Sequence, residues 1–288
     1  MSGKICIVTG ANSGIGKETA LGLAQMDARV VMVCRNAEKG KAALEDIRRE
    51  SGSSQVDLLI ADMSSQASVR ALAEQIQQQY PRLDVLVNNA GGAPPARTLS
   101  ADGIEMTLAT NHLGPALLTL LLLDLLKASA PSRVINVSSV EAQSPARLGM
   151  DDLQFERRKY GNIAAYRQSK LLMNTFTFEL ARRLAGTGVT ANCLHPGAVA
   201  TNIWSAAAPL ILKPIIKPII AVVKPFMLTS RQGAAVSLYL ATSPEVAQVS
   251  GEYFVKSKPA KSNPLSRDPK LMAEVWRCTE KMTSLPLA

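Results

Sequence analysis

The stretch Thr9-Gly-Ala-Asn-Ser-Gly-Ile-Gly16 constrains this chain more than any other. It follows the apolar run Ile5 to Val8, which reads as a strand, and precedes residues 17–26, which read as a helix. A strand, a glycine loop and a helix in that order build a seat for a pyrophosphate. One glycine turns the chain tightly, one lets backbone approach the phosphates, and one lets helix and strand pack closely. The N–H groups that open the helix then favour negative charge. The spacing is Gly10-x-x-x-Gly14-x-Gly16, and no Gly-Lys-Ser/Thr follows, which disfavours a phosphate-hydrolysing loop. An ordinary strand-to-helix loop would share this composition, so the flanking elements carry the reading. Gly10, Asn12, Ser13, Gly14, Ile15 and Gly16 are the expected cofactor contacts.

The pattern continues along the chain. Further strand candidates are residues 29–34, 56–61, 83–88, 133–138, 189–194 and 253–255. Helix candidates are 37–50, 66–79, 103–127, 164–184 and 231–242. Near-continuous apolar strands alternating with helices predict an α/β fold with helices on both faces of a parallel sheet. A chain of 288 residues, 47% of them hydrophobic, suffices for one large domain with a sizeable core. The expectation is a single-domain, doubly wound, seven-stranded parallel sheet. Such sheets bind ligands outside the carboxyl ends of their strands, so the residues just after each strand matter most.

Composition removes several classes. The four cysteines are scattered, only two histidines exist, and no metal-ligand spacing appears, so no metal is expected. Free thiols suit a reducing, cytoplasmic setting. The first strand begins almost at once, which leaves no room for a leader or anchor, and the uncharged run 113–123 is too short to span a bilayer. The net charge of +9 is spread out, and the densest cluster, Glu156-Arg-Arg-Lys159, is short. No nucleic-acid partner is expected from this pattern.

The strand ends carry the chemistry. After the second strand stands Arg35, where an NAD-selective site usually places an acid. A guanidinium grips a 2′-phosphate with parallel hydrogen bonds, and Lys39 adds charge one turn later. NADP(H) is therefore preferred over NAD(H), the alternative being a solvated basic pair at a helix start. After the third strand, Asp62-Met63 offers an acceptor for an adenine amino group, or else a helix cap. After the fourth, Asn88-Asn89-Ala90-Gly91-Gly92 lets backbone approach a cofactor while its amides bond neighbouring strands. Tyr166 and Lys170 lie four apart on a helix and share one face. An ammonium beside a phenol lowers its pKa and makes a proton donor and acceptor usable near neutrality.

Six ordered motifs resemble the short-chain dehydrogenase/reductase family along essentially the whole chain. They are Thr9-Gly10-x-x-x-Gly14-Ile15-Gly16, Asn88-Asn89-Ala90-Gly91, Asn111, Ser139, Tyr166-x-x-x-Lys170 and Pro196-Gly197. In detail the chain is similar to the retinol-dehydrogenase-like branch of that Rossmann-fold family. The suggestive stretches are Cys34-Arg35-Asn36, Asn111-His112-Leu113-Gly114, the long insert between Ser139 and Tyr166, and the tail with Gly251-Glu252-Tyr253-Phe254 and Trp276. The resemblance implies catalytic roles for Asn111, Ser139, Tyr166 and Lys170. Tyr166 is the implied acid/base, Lys170 its tuner and ribose partner, Ser139 the orienter of the substrate oxygen, and Asn111 the anchor of a relay water. Ser139 is chosen over Ser138 because the family pattern places this serine three residues after the strand asparagine, here Asn136. Asn89, Ala90, Gly91, Pro196, Gly197, Val199 and Thr201 join the implied cofactor contacts. His112 and His195 read as structural.

The implied reaction is NADPH-dependent interconversion of a lipophilic aldehyde or ketone and its alcohol, retinal-like, steroid-like or otherwise apolar. A cofactor-bound protein without turnover and a pigment double-bond reductase are the other readings. The segment from Ala206 to Leu228 is apolar apart from three lysines, each followed by proline. It lies in the substrate-loop insertion expected over 202–228. It reads either as a lid over the site or as a patch making peripheral contact with a membrane surface. The helices carrying Asn111 and Tyr166 commonly pair between subunits in this family, which implies a homodimer.

Overall fold

The computed structural model describes residues 1–145, 147–199 and 227–285. Seven parallel strands form its sheet: β1 (Ile5–Thr9), β2 (Arg29–Cys34), β3 (Val56–Ile60), β4 (Val85–Asn88), β5 (Ser132–Val137), β6 (Val189–His195) and β7 (Tyr253–Val255). An eighth strand, β8 (Lys258–Ala260), adds antiparallel to β7, and the order is β3-β2-β1-β4-β5-β6-β7-β8. The expected seven-stranded parallel sheet thus gains one antiparallel edge. Lys-Pro-Ala reads as loop, yet proline and lysine are what an edge strand tolerates. Lys256 and Ser257, both at positive φ, turn the chain between the two strands.

Each strand serves two cores because its side chains alternate. Ile5 and Ile7 of β1 enter the core beneath α3 (Gln66–Gln79) and α7 (Asn162–Arg183). Cys6 and Val8 enter the other, beneath α1 (Gly14–Ala24), α2 (Ala37–Ser51) and α8 (Ser230–Thr242). Burial of Cys6 and Cys34 pushes their thiols up, to about 12 and about 11. Among the described residues no helix is long and apolar enough to cross a membrane.

The helix expected over 103–127 is broken. Gly103 sits at φ +72 in a turn where Ser100 N–H donates to Ile104 O, so the helix starts later. Glu105 caps α4 (Met106–Leu108) by accepting from Thr107 N and Leu108 N. A π-helical turn (Ala109–Leu113) follows, then α5 (Gly114–Leu121) and α6 (Leu123–Ala128), parted at Leu122. Gly114 is the point of closest approach: a Cβ there would lie 1.9 Å from the Met63 carbonyl oxygen.

The last helix among the described residues, α9 (Pro269–Thr283), is absent from the expectations. Asp268 caps it, Pro269 opens it, and Val275, Trp276, Thr279 and Thr283 form its buried stripe. It packs on α7, where Trp276 stacks on Phe176 with ring centroids 5.5 Å apart. It also touches the π turn. The basic cluster at 157–159 is partly engaged, since Arg157 pairs with Asp151 and Arg158 with Asp152.

Candidate active site

The sheet order reverses between β1 and β4, so the helices leaving these strands diverge to opposite faces and a crevice opens at their carboxyl ends. The glycine loop lies there. Gly10 and Gly14 adopt positive φ, and Gly10 N–H donates to Val33 O at 2.8 Å, which ties the loop to β2. Gly16 faces β1 closely: a Cβ would lie 2.4 Å from both Gly10 O and Asn89 Nδ2. Ser13, at the start of α1, makes no side-chain cap, so the helix keeps its opening N–H groups for an anion. Asn12 is half-buried in the same loop.

Thr9 and Asn89 lock this loop to the end of β4. Thr9 Oγ1 accepts from the N–H groups of Asn89 and Ala90, and Asn89 Nδ2 donates to Thr9 O at 2.8 Å. Behind them Asn88 and Asn136 bond across β4 and β5 at 2.8 Å, continuing to Thr119 and Thr177. Arg35 and Lys39 stand exposed past β2, with no ion pair among the described residues. Asp62 is partly spent, because its Oδ1 accepts from Ser64 N and Ser64 Oγ. Met63 is buried beneath Gly114.

On the other side of the crevice stands Val199, buried against Ile15 and Ala234. Pro196 is half-buried, and Gly197 turns the chain at φ +92. Leu228 N–H donates to Ala198 O. Thr201 and residues 202–226 of the expected substrate loop lie outside the described residues.

Tyr166 and Lys170 enter from α7 and Ser139 from the end of β5. Tyr166 is buried and packs on Ala93. Burial raises its phenol pKa, a hydrogen bond with the Ser139 side chain draws it down, and the Glu141 charge raises it again. The expected lowering by Lys170 is not among the causes of this shift. The ammonium lies 5.7 Å from the phenol ring centroid and donates instead to Val137 O at 2.8 Å. Burial pulls Lys170 itself down to about 8. Ser138, by contrast, turns its hydroxyl into a buried position without a partner among the described residues.

Asn111 sits in the π turn with its amide clamped. Its Oδ1 accepts from Gly92 N at 2.8 Å, and its Nδ2 donates to Gly92 O and to Ser169 Oγ. Ser169 Oγ in turn donates to Tyr166 O. Gly91 lies beside this cluster, where a Cβ would be 3.2 Å from Asn111 Oδ1 and 3.4 Å from Lys170 Nζ. Thr9, Gly92 and Ser169 were missing from the expected site. Ser169 lies inside the Tyr-x-x-x-Lys motif, so its position was readable; Gly92 N–H, a backbone donor, leaves no residue-type signal.

The two histidines hold structure. His195 Nδ1 accepts from Val140 N–H, next to Ser139. His112 is buried and hydrogen-bonds Thr279 at 2.9 Å. Burial pulls its pKa from 6.5 to about 3, so it stays neutral when folded. Below pH 6.5 the unfolded chain takes a proton that the folded chain refuses. Stability should therefore fall by about 1.4 kcal/mol per pH unit on this account as pH drops from about 6.5 towards 3. Denaturant titrations of the wild type and His112→Gln should show that the variant lacks this slope.

The short chain dehydrogenase family model matches residues 4–150. The chain belongs to the short-chain dehydrogenase family. It is 41% identical to human retinol dehydrogenase 13 over 98% of this chain and 85% of that protein. It is 42% identical to human retinol dehydrogenase 14, over 99% and 88% respectively. A Mycobacterium paratuberculosis protein of known structure superposes with a TM-score of 0.78 at 31% identity, covering 99% of this chain and 96% of that one. The Pseudomonas aeruginosa RhlG/NADP active-site complex gives 0.67 at 27%, covering 88% and 94%. Family membership makes this chain a carbonyl/alcohol oxidoreductase with a nicotinamide cofactor, of the retinol-dehydrogenase-like branch.

Proposed function

We propose that this short-chain dehydrogenase interconverts a small lipophilic aldehyde or ketone and its alcohol with NADP(H) as cofactor. The observation that carries the reading is the convergence of the Tyr166 phenol, the Ser139 hydroxyl and the Lys170 ammonium around the ends of β4 and β5. The uncapped start of α1 and the unpaired Arg35 fit a phosphorylated dinucleotide. So does the NADP complex of a structural relative. The retinol dehydrogenase names among the relatives support a retinal-like substrate class.

When bound, the nicotinamide supplies or accepts the hydride. In reduction, negative charge grows on the carbonyl oxygen, and Ser139 and Tyr166 stabilise it by hydrogen bonding. Tyr166 then delivers its proton. A phenol held protonated by burial suits that direction, whereas alcohol oxidation needs the phenolate and should rise with pH. Lys170 keeps most of its proton at pH 7, and its charge favours the phenolate that delivery leaves behind. Gly10, Asn12, Ser13, Gly14, Ile15 and Gly16 would hold the pyrophosphate and Arg35 with Lys39 the 2′-phosphate. Asp62, Met63, Asn89, Ala90 and Gly91 would line the adenosine and ribose side. Pro196, Gly197, Val199 and Thr201 would hold the nicotinamide.

The test is coenzyme consumption across a panel of retinoid, steroid and long-chain carbonyls. NADPH should be favoured over NADH. In Arg35→Asp that preference in kcat/KM should fall at least about tenfold, and nearer a hundredfold if both parallel bonds are lost. An unchanged ratio would remove Arg35 from the phosphate site.

A further inference from the structure

Asn111 owes its place to a turn with one residue too many. A π turn is rare, and its poorer geometry persists only where the surroundings hold it. Asn111 grips Gly92 and Ser169 on the site's side. On the opposite side the next residue, His112, is gripped by the C-terminal helix. The Thr279 hydroxyl donates to Val275 O at 2.8 Å, so its proton is already committed. It therefore accepts from His112, which fixes the imidazole with its proton on Nε2. Among the described residues His112 Nδ1 is buried without a partner, so the bond to Thr279 orients the ring. Phe176 of α7 meets the imidazole edge-on at 5.9 Å and stacks on Trp276.

The helix that supplies Thr279 is itself tied down. Gln66 Nε2 donates to Met282 O and Arg70 Nη2 to Thr283 O, fastening its end to α3. The Arg183 guanidinium lies over Trp276 at 4.1 Å. Helix α9 thus reaches the site through the Thr279 hydroxyl and the His112 imidazole.

We propose that the C-terminal helix sets the position of Asn111 in the active site, with Thr279 and His112 as the positioning residues. The inference rests on the proposed reaction and on the family resemblance, which gives Asn111 the anchoring of a water that relays the proton to Tyr166. Without the Thr279 hydroxyl, the His112 N–H is buried unpaired and the π turn loses its outer hold. Asn111 then shifts against Gly92 and Ser169, and the proton step slows.

Thr279→Val, Thr279→Ser and Asn111→Ala should be compared by steady-state kinetics in water and deuterium oxide, with NADPH binding and thermal midpoint measured alongside. In Thr279→Val, kcat should drop about tenfold, since small misplacements carry penalties of that order. Its solvent isotope effect should rise, while KM for the carbonyl and NADPH affinity should hold. Thr279→Ser keeps the hydroxyl and should restore both rate and isotope effect. Should Thr279→Val fold poorly, the pair Thr279→Val with His112→Leu removes both polar partners, leaves no unpaired donor, and carries the same expectation. A lowered midpoint with unchanged kcat and isotope effect, while Asn111→Ala is inactive, would overturn this inference alone. Wild-type turnover in Asn111→Ala would overturn the catalytic reading and the inference with it.

Discussion

Tyr166→Phe should lower kcat about a thousandfold, within the range that a positioned proton donor contributes. NADPH should still bind with nearly wild-type affinity. Phenylalanine keeps the buried ring against Ala93 and loses only the hydroxyl that meets Ser139. Removing a desolvated phenol also removes its burial penalty, so the variant should fold as well as the parent. Single-turnover kinetics with NADPH and a retinoid or long-chain aldehyde separates binding from chemistry. Wild-type turnover in that variant would end the proposed mechanism. In the parent, burial holds the phenol protonated beyond its usual range, so carbonyl reduction should decline only on the alkaline side.

Lys170→Met should abolish turnover to a similar degree and, unlike most losses of function, stabilise the cofactor-free protein. The side chain is 4% exposed, and burial lowers its pKa from 10.5 to about 8. Above pH 10.5 the folded and unfolded chains both carry the neutral amine, and no cost arises. As pH falls from 10.5 through about 8, the unfolded chain takes the proton first and the folded state loses stability. Below about 8 the cost is constant, at roughly 3 kcal/mol. Methionine fills similar volume without the charge. The lost hydrogen bond to Val137 O returns about 1 kcal/mol of that gain. A net rise of about 1–2 kcal/mol, or a few degrees in thermal midpoint, is expected at pH 7. A lower midpoint would mean that the ammonium is better satisfied than its burial implies.

The regular parts of this fold were legible because periodicity and burial agree. All seven parallel strands follow apolar runs, and α2 and α3 fall within a residue of their expected ends. Failures came where local signal and tertiary context part. The long apolar stretch before residue 127 offered no mark of a π turn, because the extra residue is held by Gly92, Ser169 and Thr279 from elsewhere in the chain. β8 hid behind its proline. The C-terminal helix was readable from its Asp-Pro start and from Val275, Trp276 and Thr279 at helical spacing, yet its importance lies in what it touches.

The sequence by itself determined the architecture and the kind of chemistry. A glycine loop after a strand requires backbone near phosphate, and a tyrosine four residues before a lysine puts both on one helical face. Only the tertiary structure decided how those groups are tuned. Burial raises the Tyr166 phenol where a lowering was expected, and Lys170 donates to Val137 O instead. Asp62 Oδ1 bonds Ser64 within its own loop, and the turn that carries Asn111 packs against α9. Residue types set which bonds are possible. Desolvation and competition among distant partners set which are made, and neither is local in sequence.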